Sequence, residues 1–141
     1  GERFDLVCLD PPAFIKRRKD ADKGEEAYTR LNRLGMQLLK PGGIIGVVQH
    51  RAPDERDDVW ADGSRGYLKK IDVISIFEDA GFQLVEQSNV NANPEDVPEQ
   101  DDIVWRLPPS LNGSKDDPEK RAAMEAIGES DRMTLLFRKV N

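Results

Sequence analysis

Two short apolar runs bracket a helix-patterned stretch near the start of the chain, and their order constrains the fold more than any other feature. Phe4-Asp5-Leu6-Val7-Cys8-Leu9 is closed by Asp10-Pro11-Pro12. It reads as a buried strand, ended by prolines that cannot donate to a ladder and that turn the preceding residue away from helix. From Glu25 to Leu39, the residues Tyr28, Leu31, Leu34 and Leu38 recur at the spacing of one helical face. Glu25 and Glu26 suit the positive end of that helix, and Lys40 suits the negative end. Pro41-Gly42-Gly43 stops the helix and turns the chain. Ile44-Ile45-Gly46-Val47-Val48 is the next buried strand and runs into Gln49-His50-Arg51. A strand–helix–strand unit of this kind resolves as a right-handed crossover between parallel strands.

The rest of the chain continues the alternation. Residues 52–69 are polar and read as a long loop, followed by a helix from Ile71 to Ala80 with Ile71, Ile74 and Phe77 on one face. Gly81 ends it, and Phe82-Gln83-Leu84-Val85-Glu86 is a third strand. Asn89 to Asn112 is irregular, pinned to the domain by Trp105 and Leu107. Asp117-Pro118-Glu119 has the form of an N-cap with proline at the first helical position, opening a helix to about Ile127 that Gly128 stops. Arg132 to Val140 is the last strand, with Met133, Leu135 and Phe137 alternating against Thr134, Leu136 and Arg138. The fold class is α/β, and 141 residues form one modest domain with its own core.

Composition narrows the function. The formal net charge is −6, unevenly placed: residues 1–40 carry a net +2 and residues 41–141 a net −8. A general nucleic-acid coat needs a surplus of cations, which this chain lacks. The run Lys16-Arg17-Arg18-Lys19 is either a solvated loop or a small phosphate contact. No apolar run is long enough to span a bilayer, and no membrane partner is expected. One cysteine and one histidine cannot make a four-ligand zinc site, so no metal is expected. The single unpaired cysteine favours a cytoplasmic setting. The chain opens with Gly1 directly ahead of an apolar strand, as a piece of a longer protein would.

Chemistry belongs at the carboxyl ends of parallel strands, where open α/β sheets bind ligands. The first strand leads into Asp10-Pro11-Pro12-Ala13-Phe14. A carboxylate there accepts from an amino group, the prolines fix carbonyl directions, and an aromatic ring stacks on a planar one. The plainer alternative is a Pro-Pro turn with Phe14 in the core. His50, at the end of the second strand, is either a proton acceptor near neutral pH or a hydrogen-bonded structural histidine. Arg51 either holds a carboxylate or phosphate or pairs with the Asp54–Asp58 run. Cys8 reads as a small buried residue. Gly63-Ser64-Arg65-Gly66 does not follow a strand and open a helix, and so fails as a phosphate cradle.

These residues together resemble the C-terminal half of a class I S-adenosylmethionine-dependent methyltransferase. Phe4 to Phe14, through Leu38-Leu39-Lys40-Pro41-Gly42-Gly43, resembles the fourth strand, following helix and turn of the 23S rRNA cytosine-5 methyltransferases. The likeness covers roughly the first third of the chain and carries the fairly specific Asp-Pro-Pro-x-Phe signature. Gly46 to Ala52 and Ala126 to Leu135 are similar instead to a family of predicted methyltransferases of unsettled substrate, as in a mosaic of two relatives. The resemblance implies a Rossmann-like methyltransferase half-sheet, parallel strands with a C-terminal antiparallel pair, and helices packed on the sheet. It implies one partial domain, residues 1–141, without the N-terminal strands that carry the cofactor's Gly-rich loop and ribose-binding acid.

The implied activity is methyl transfer from S-adenosylmethionine to an RNA base or a small molecule. Asp10, Pro11 and Pro12 would meet the cofactor, Asp10 and His50 would be catalytic, and Phe14 and Arg51 would hold the acceptor. Asp10 and His50 are expected to project from neighbouring strand ends into one crevice. The thiolate that cytosine-5 chemistry needs is absent beyond Gln49-His50-Arg51, so that chemistry does not follow from the resemblance. The alternative is a non-catalytic half-domain acting through a partner or as a homodimer across an exposed edge of the first strand. A different nucleotide-binding α/β enzyme is a third reading, weakened by the lack of a phosphate loop.

Overall fold

The computed structural model describes residues 2–7, 30 and 33–140. Cys8, Asp10, Pro11, Pro12, Phe14, the basic run 16–19 and most of the helix expected over 25–39 lie outside the described residues. The elements are β1 (Phe4–Val7), a helical stretch at 33–38, β2 (Leu39–His50), α1 (Lys70–Asp79), β3 (Phe82–Ser88), a 3-10 turn (Val104–Arg106), α2 (Pro118–Ile127) and β4 (Arg132–Lys139).

The four strands form one sheet in the order β1-β2-β4-β3. β1 and β2 are parallel, as the strand–helix–strand reading requires. β4 is antiparallel to β3: Val140 N–H donates to the Gly81 carbonyl at one end, and Arg132 N–H to the Asn91 carbonyl at the other. It also opposes β2, because Arg51, just past the end of β2, donates its N–H to Asp131, just before β4 (2.9 Å). The sheet is therefore mixed, and the last strand enters between the second and third.

Two local departures from the sequence reading have clear causes. Pro41-Gly42-Gly43 does not separate helix from strand; it lies inside β2. The register accounts for this. Phe4 pairs with Leu39 and Leu6 with Ile44, so the single residue between them in β1 faces four in β2 and the Pro-Gly-Gly segment loops out as an irregularity. A Cβ at Gly43 would sit 2.9 Å from the Lys40 carbonyl and 3.3 Å from that of Asp5, so only glycine lets the backbones approach here. In α1 the buried residue is Val73, with Ile74 and Phe77 half-buried, while Ile71 is 65% exposed. The inward face is thus set by the Val73–Phe77 pair, one turn apart, and not by Ile71.

The chain divides into two compact units. The first comprises residues 1–47, 74–87 and 135–141. Its core holds Leu39, Ile45, Phe82, Leu135 and Phe137, all buried. Phe77 stacks on Phe137 (centroids 4.5 Å apart) and meets Phe82 edge-on (5.8 Å). Lys139 donates to the Met36 carbonyl (2.7 Å) and the Leu39 carbonyl (3.1 Å), using a cation where a helix end leaves acceptors unpaired.

The second unit comprises residues 48–73 and 88–134, and it contains both segments, 52–69 and 89–112, that sequence patterning reads as loop and irregular chain. It nevertheless has a core of its own: Ala52, Trp60, Ala61, Tyr67 and Val104, with Trp105 packed against it. Trp60 stacks on Tyr67 (5.5 Å), and its ring N–H donates to the Gln100 carbonyl (2.9 Å). Arg56 lies over the Trp60 ring at 4.8 Å. Trp105 and Leu107 anchor the irregular stretch as expected, Leu107 being fully buried. α2 begins as its sequence dictates, with Asp117 accepting from Lys120 N–H (2.9 Å) and Pro118 in the first turn.

The glycines of 63–66 also find their purpose here. Gly66 has φ +87°, and its N–H closes a turn onto the Gly63 carbonyl (2.9 Å). A Cβ at Gly66 would lie 2.3 Å from Val104 Cγ1. Gly66→Ala is expected to destabilise the protein by about 1–3 kcal/mol through overpacking against a stiff valine. Chemical denaturation of the variant checks this, and an unchanged midpoint would rule it out.

Candidate functional site

His50 and Arg51 stand at the carboxyl end of β2, in the second unit. Their backbone is held on one side by Leu68, whose N–H donates to the His50 carbonyl (3.1 Å) and whose carbonyl accepts from Ala52 N–H (2.9 Å). On the other side lies the corner before β4. Consecutive residues meet consecutive residues: His50 Nδ1 is 2.6 Å from Ser130 Oγ, and Arg51 binds Asp131 through Nε (2.7 Å) and Nη2 (2.8 Å). The second contact is a fork-to-fork pair, whose planar geometry fixes the guanidinium in direction as well as distance.

Beneath this corner sits Asp96. Its side chain is wholly buried and accepts from Tyr67 Oη (3.2 and 3.1 Å), Arg106 Nη2 (2.9 Å) and the backbone N–H of Asp131 (2.9 Å). A carboxylate in such a place is tolerated only with a cation and enough donors to replace its water, and here it has both. Asp102 Oδ2 lies 2.9 Å from Arg106 Nε, but out of line, so Arg106 Nε and Nη1 make no hydrogen bond among the described residues. Asn93 completes the corner. Its N–H donates to Asp131 Oδ1 (2.8 Å), and its side-chain amide to the carbonyls of Ile127 (2.8 Å) and Glu129 (2.7 Å).

The electrostatics follow from this packing. Burial, aided by the Arg132 charge, lowers the His50 pKa from its usual 6.5, against the opposing pull of Asp96 and Glu129. The ring is therefore neutral at neutral pH, able to take a proton. Arg51 is held charged more firmly than usual, chiefly by its hydrogen bonds to Asp131. Burial and then the Asp96 charge push the Tyr67 hydroxyl up, so it stays a donor to Asp96. Tyr67→Phe is expected to cost about 1.5–3 kcal/mol, the range for a hydrogen bond to a charged group. A thermal or denaturant melt reads this directly, and a loss below about 0.5 kcal/mol would show that Asp96 does not depend on the phenol.

Of the residues the sequence singled out, His50 and Arg51 are adjacent and both engaged, while Asp10, Pro11, Pro12 and Phe14 lie outside the described residues. Arg51 pairs with Asp131, a partner 80 positions away, and not through a hydrogen bond to the Asp54–Asp58 run. Sequence reasoning missed Asp96, Ser130, Asp131, Tyr67 and Arg106 as members of the site. One signal was present. Ser130-Asp131 stands directly ahead of the last strand, whose start at Arg132 the alternation of residues marks. Asp96 stands in an acidic, proline-bearing segment where nothing marks one carboxylate from its neighbours.

S-adenosylmethionine, implied by the resemblance, needs acceptors for its ribose and amino groups. Asp96 and Asp131 are the carboxylates hydrogen-bonded into the corner, and each is taken up by an arginine and further donors. They do not fit that role. The expected cofactor contacts are those of Asp10, Pro11 and Pro12. Among the described residues, no group of three or more His, Cys, Asp or Glu is placed to hold a metal ion, and no helix is long and apolar enough to cross a membrane.

No family model matches the chain. A stretch of 45 residues, 32% of the chain, is 42% identical to the ribosomal RNA large subunit methyltransferase I of Yersinia pseudotuberculosis and that of Yersinia pestis. The chain spans 11% of the length of these relatives. Among solved structures, the [4+2]-cyclase SpnF matches over 98% of the chain and 50% of its own, with a TM-score of 0.50 and 19% identity. That likeness is one of fold. The class defined is an α/β domain of mixed sheet, with a short stretch similar to a ribosomal RNA methyltransferase.

Proposed function

We propose that the chain serves S-adenosylmethionine-dependent methyl transfer to an RNA base or a small molecule. One observation carries the reading: β1 and β2 are parallel neighbours, and the sequence places Asp10-Pro11-Pro12-Ala13-Phe14 after one and His50-Arg51 at the end of the other. The stretch similar to a methyltransferase lends it support. When bound, S-adenosylmethionine supplies an electrophilic methyl group. The protein's share is alignment, which alone accounts for a large part of such a rate. In this reading Asp10 orients the acceptor, Pro11 and Pro12 border the cofactor, and Phe14 stacks on a planar acceptor. His50 takes a proton from the nucleophile. Arg51, with Nε and Nη2 given to Asp131, offers Nη1 to an acidic group.

A second reading is favoured by one feature. Among the described residues β1 ends the sheet order, and its Phe4 and Leu6 are 44% and 60% exposed. An open apolar edge is a template for pairing with another chain, which suits a non-catalytic half-domain that self-associates. Calorimetric titration with S-adenosylmethionine, alongside a solution mass measurement, separates the two. Saturable binding by a monomer is the expected result. A dimer that binds no cofactor would replace the enzymatic reading with the second.

A further inference from the structure

His50 is the single histidine of the chain, and its Nδ1 faces Ser130 Oγ at 2.6 Å. Ser130 is buried, and the backbone on both sides of it is fixed. On one side, the Asn93 side chain donates to the Glu129 carbonyl (2.7 Å). On the other, Asp131 N–H donates to Asp96 (2.9 Å), while its carbonyl accepts from Arg51 N–H (2.9 Å). Asp96 is itself held by Tyr67 and Arg106. A hydroxyl fixed this firmly governs the ring it meets, because the partner of one imidazole nitrogen decides which nitrogen carries the proton.

We propose that Ser130 is a positioning residue for His50: its hydroxyl accepts the Nδ1 proton, so that Nε2 presents its lone pair, and Asp96 holds Ser130 in place through the Asp131 amide. This deepens the methyl-transfer reading and rests on its use of His50 as a proton acceptor. A base needs a bare Nε2. When Nε2 takes the acceptor's proton, the Nδ1–H bond to Ser130 is already made and nothing has to reorganise. With Nε2–H instead, the form that histidine favours in water, the ring would present a donor to the site. The charges facing the ring are Arg132, which opposes protonation, and Asp96 and Glu129, which favour it.

The single histidine makes the test direct. Two-bond proton–nitrogen NMR spectra of the labelled chain, at about pH 8 where the ring is neutral, report one pair of ring nitrogens. The wild-type protein is expected to show Nδ1–H as the major form. Ser130→Ala should make it the minor form, and Ser130→Thr should restore it. Asp96→Asn should move the His50 titration to lower pH, since it removes a carboxylate that favours the charged ring. An Nε2–H ring in the wild-type protein would overturn the proposal, and so would a tautomer unchanged by Ser130→Ala. A wild-type chain that shows Nδ1–H yet binds no S-adenosylmethionine upholds the positioning and removes the methyl-transfer reading.

Discussion

Asp96→Ala is expected to lower the stability of the protein by about 3–5 kcal/mol, the range for removing one partner of a buried ion pair. The size follows from what is left behind. Arg106, 7% exposed, loses its Nη2 partner while Nη1 and Nε are already without a hydrogen bond among the described residues. The Tyr67 hydroxyl and the Asp131 amide lose their acceptor at the same time. Asp102, 2.9 Å from Arg106 Nε and 31% exposed, keeps some charge balance, which places the expected loss nearer the lower limit. Denaturant titration measures it, and a loss under about 1 kcal/mol would mean that the corner stands without its carboxylate. The double variant Asp96→Leu with Arg106→Met should recover part of that loss, because an apolar pair leaves no buried charge. Full recovery is not expected, since the Asp131 amide would still lack an acceptor.

The other large effect is on turnover. In the methyl-transfer reading, His50→Gln should reduce kcat by about 10²–10⁴-fold, the usual weight of a positioned acid–base group. The pH profile carries the signature. A base must be neutral, so the rate should fall as pH drops through the His50 pKa, which burial has lowered below 6.5. Activity should therefore be level across neutral pH, with its acid limb below that value. A limb above 6.5, or one that survives His50→Gln, would exclude His50 as the group that titrates. Stability carries the same sign. The unfolded chain binds this proton more readily than the folded one, so the contribution is fully present above about 6.5 and is lost as pH falls through the lower folded value.

Legibility varied along the chain with the range of the interactions involved. α2 was readable to the residue, because Asp117, Pro118 and Gly128 act on their own neighbours and no distant partner has to agree. β4 was equally plain: Met133, Leu135 and Phe137 are buried and the residues between them are not, which is the two-residue period of a strand. In α1 the expected Ile74 and Phe77 do turn inward, but Ile71 and Val73 are both apolar and only packing decides that Val73 is the one buried. The Pro41-Gly42-Gly43 turn was seen, but not its place inside β2, because that depends on the register β1 imposes. The core of the second unit was missed for a similar reason. Trp60 and Tyr67 lie in a polar stretch with Pro, Gly and Asp that reads as loop, and they meet only once that loop closes.

The amino-acid sequence alone determined the α/β alternation, the caps and stops of α2, and the presence of His50 and Arg51 at a strand end. Each of these is written in a period or a capping residue that acts within one or two turns of chain. The tertiary structure decided that β4 enters between β2 and β3, and that Asp96, Ser130 and Asp131 close on His50 and Arg51. Those contacts join residues separated by 35 to 80 positions. A pairing over such a distance depends on the geometry of the folded backbone, and local pattern carries no record of it.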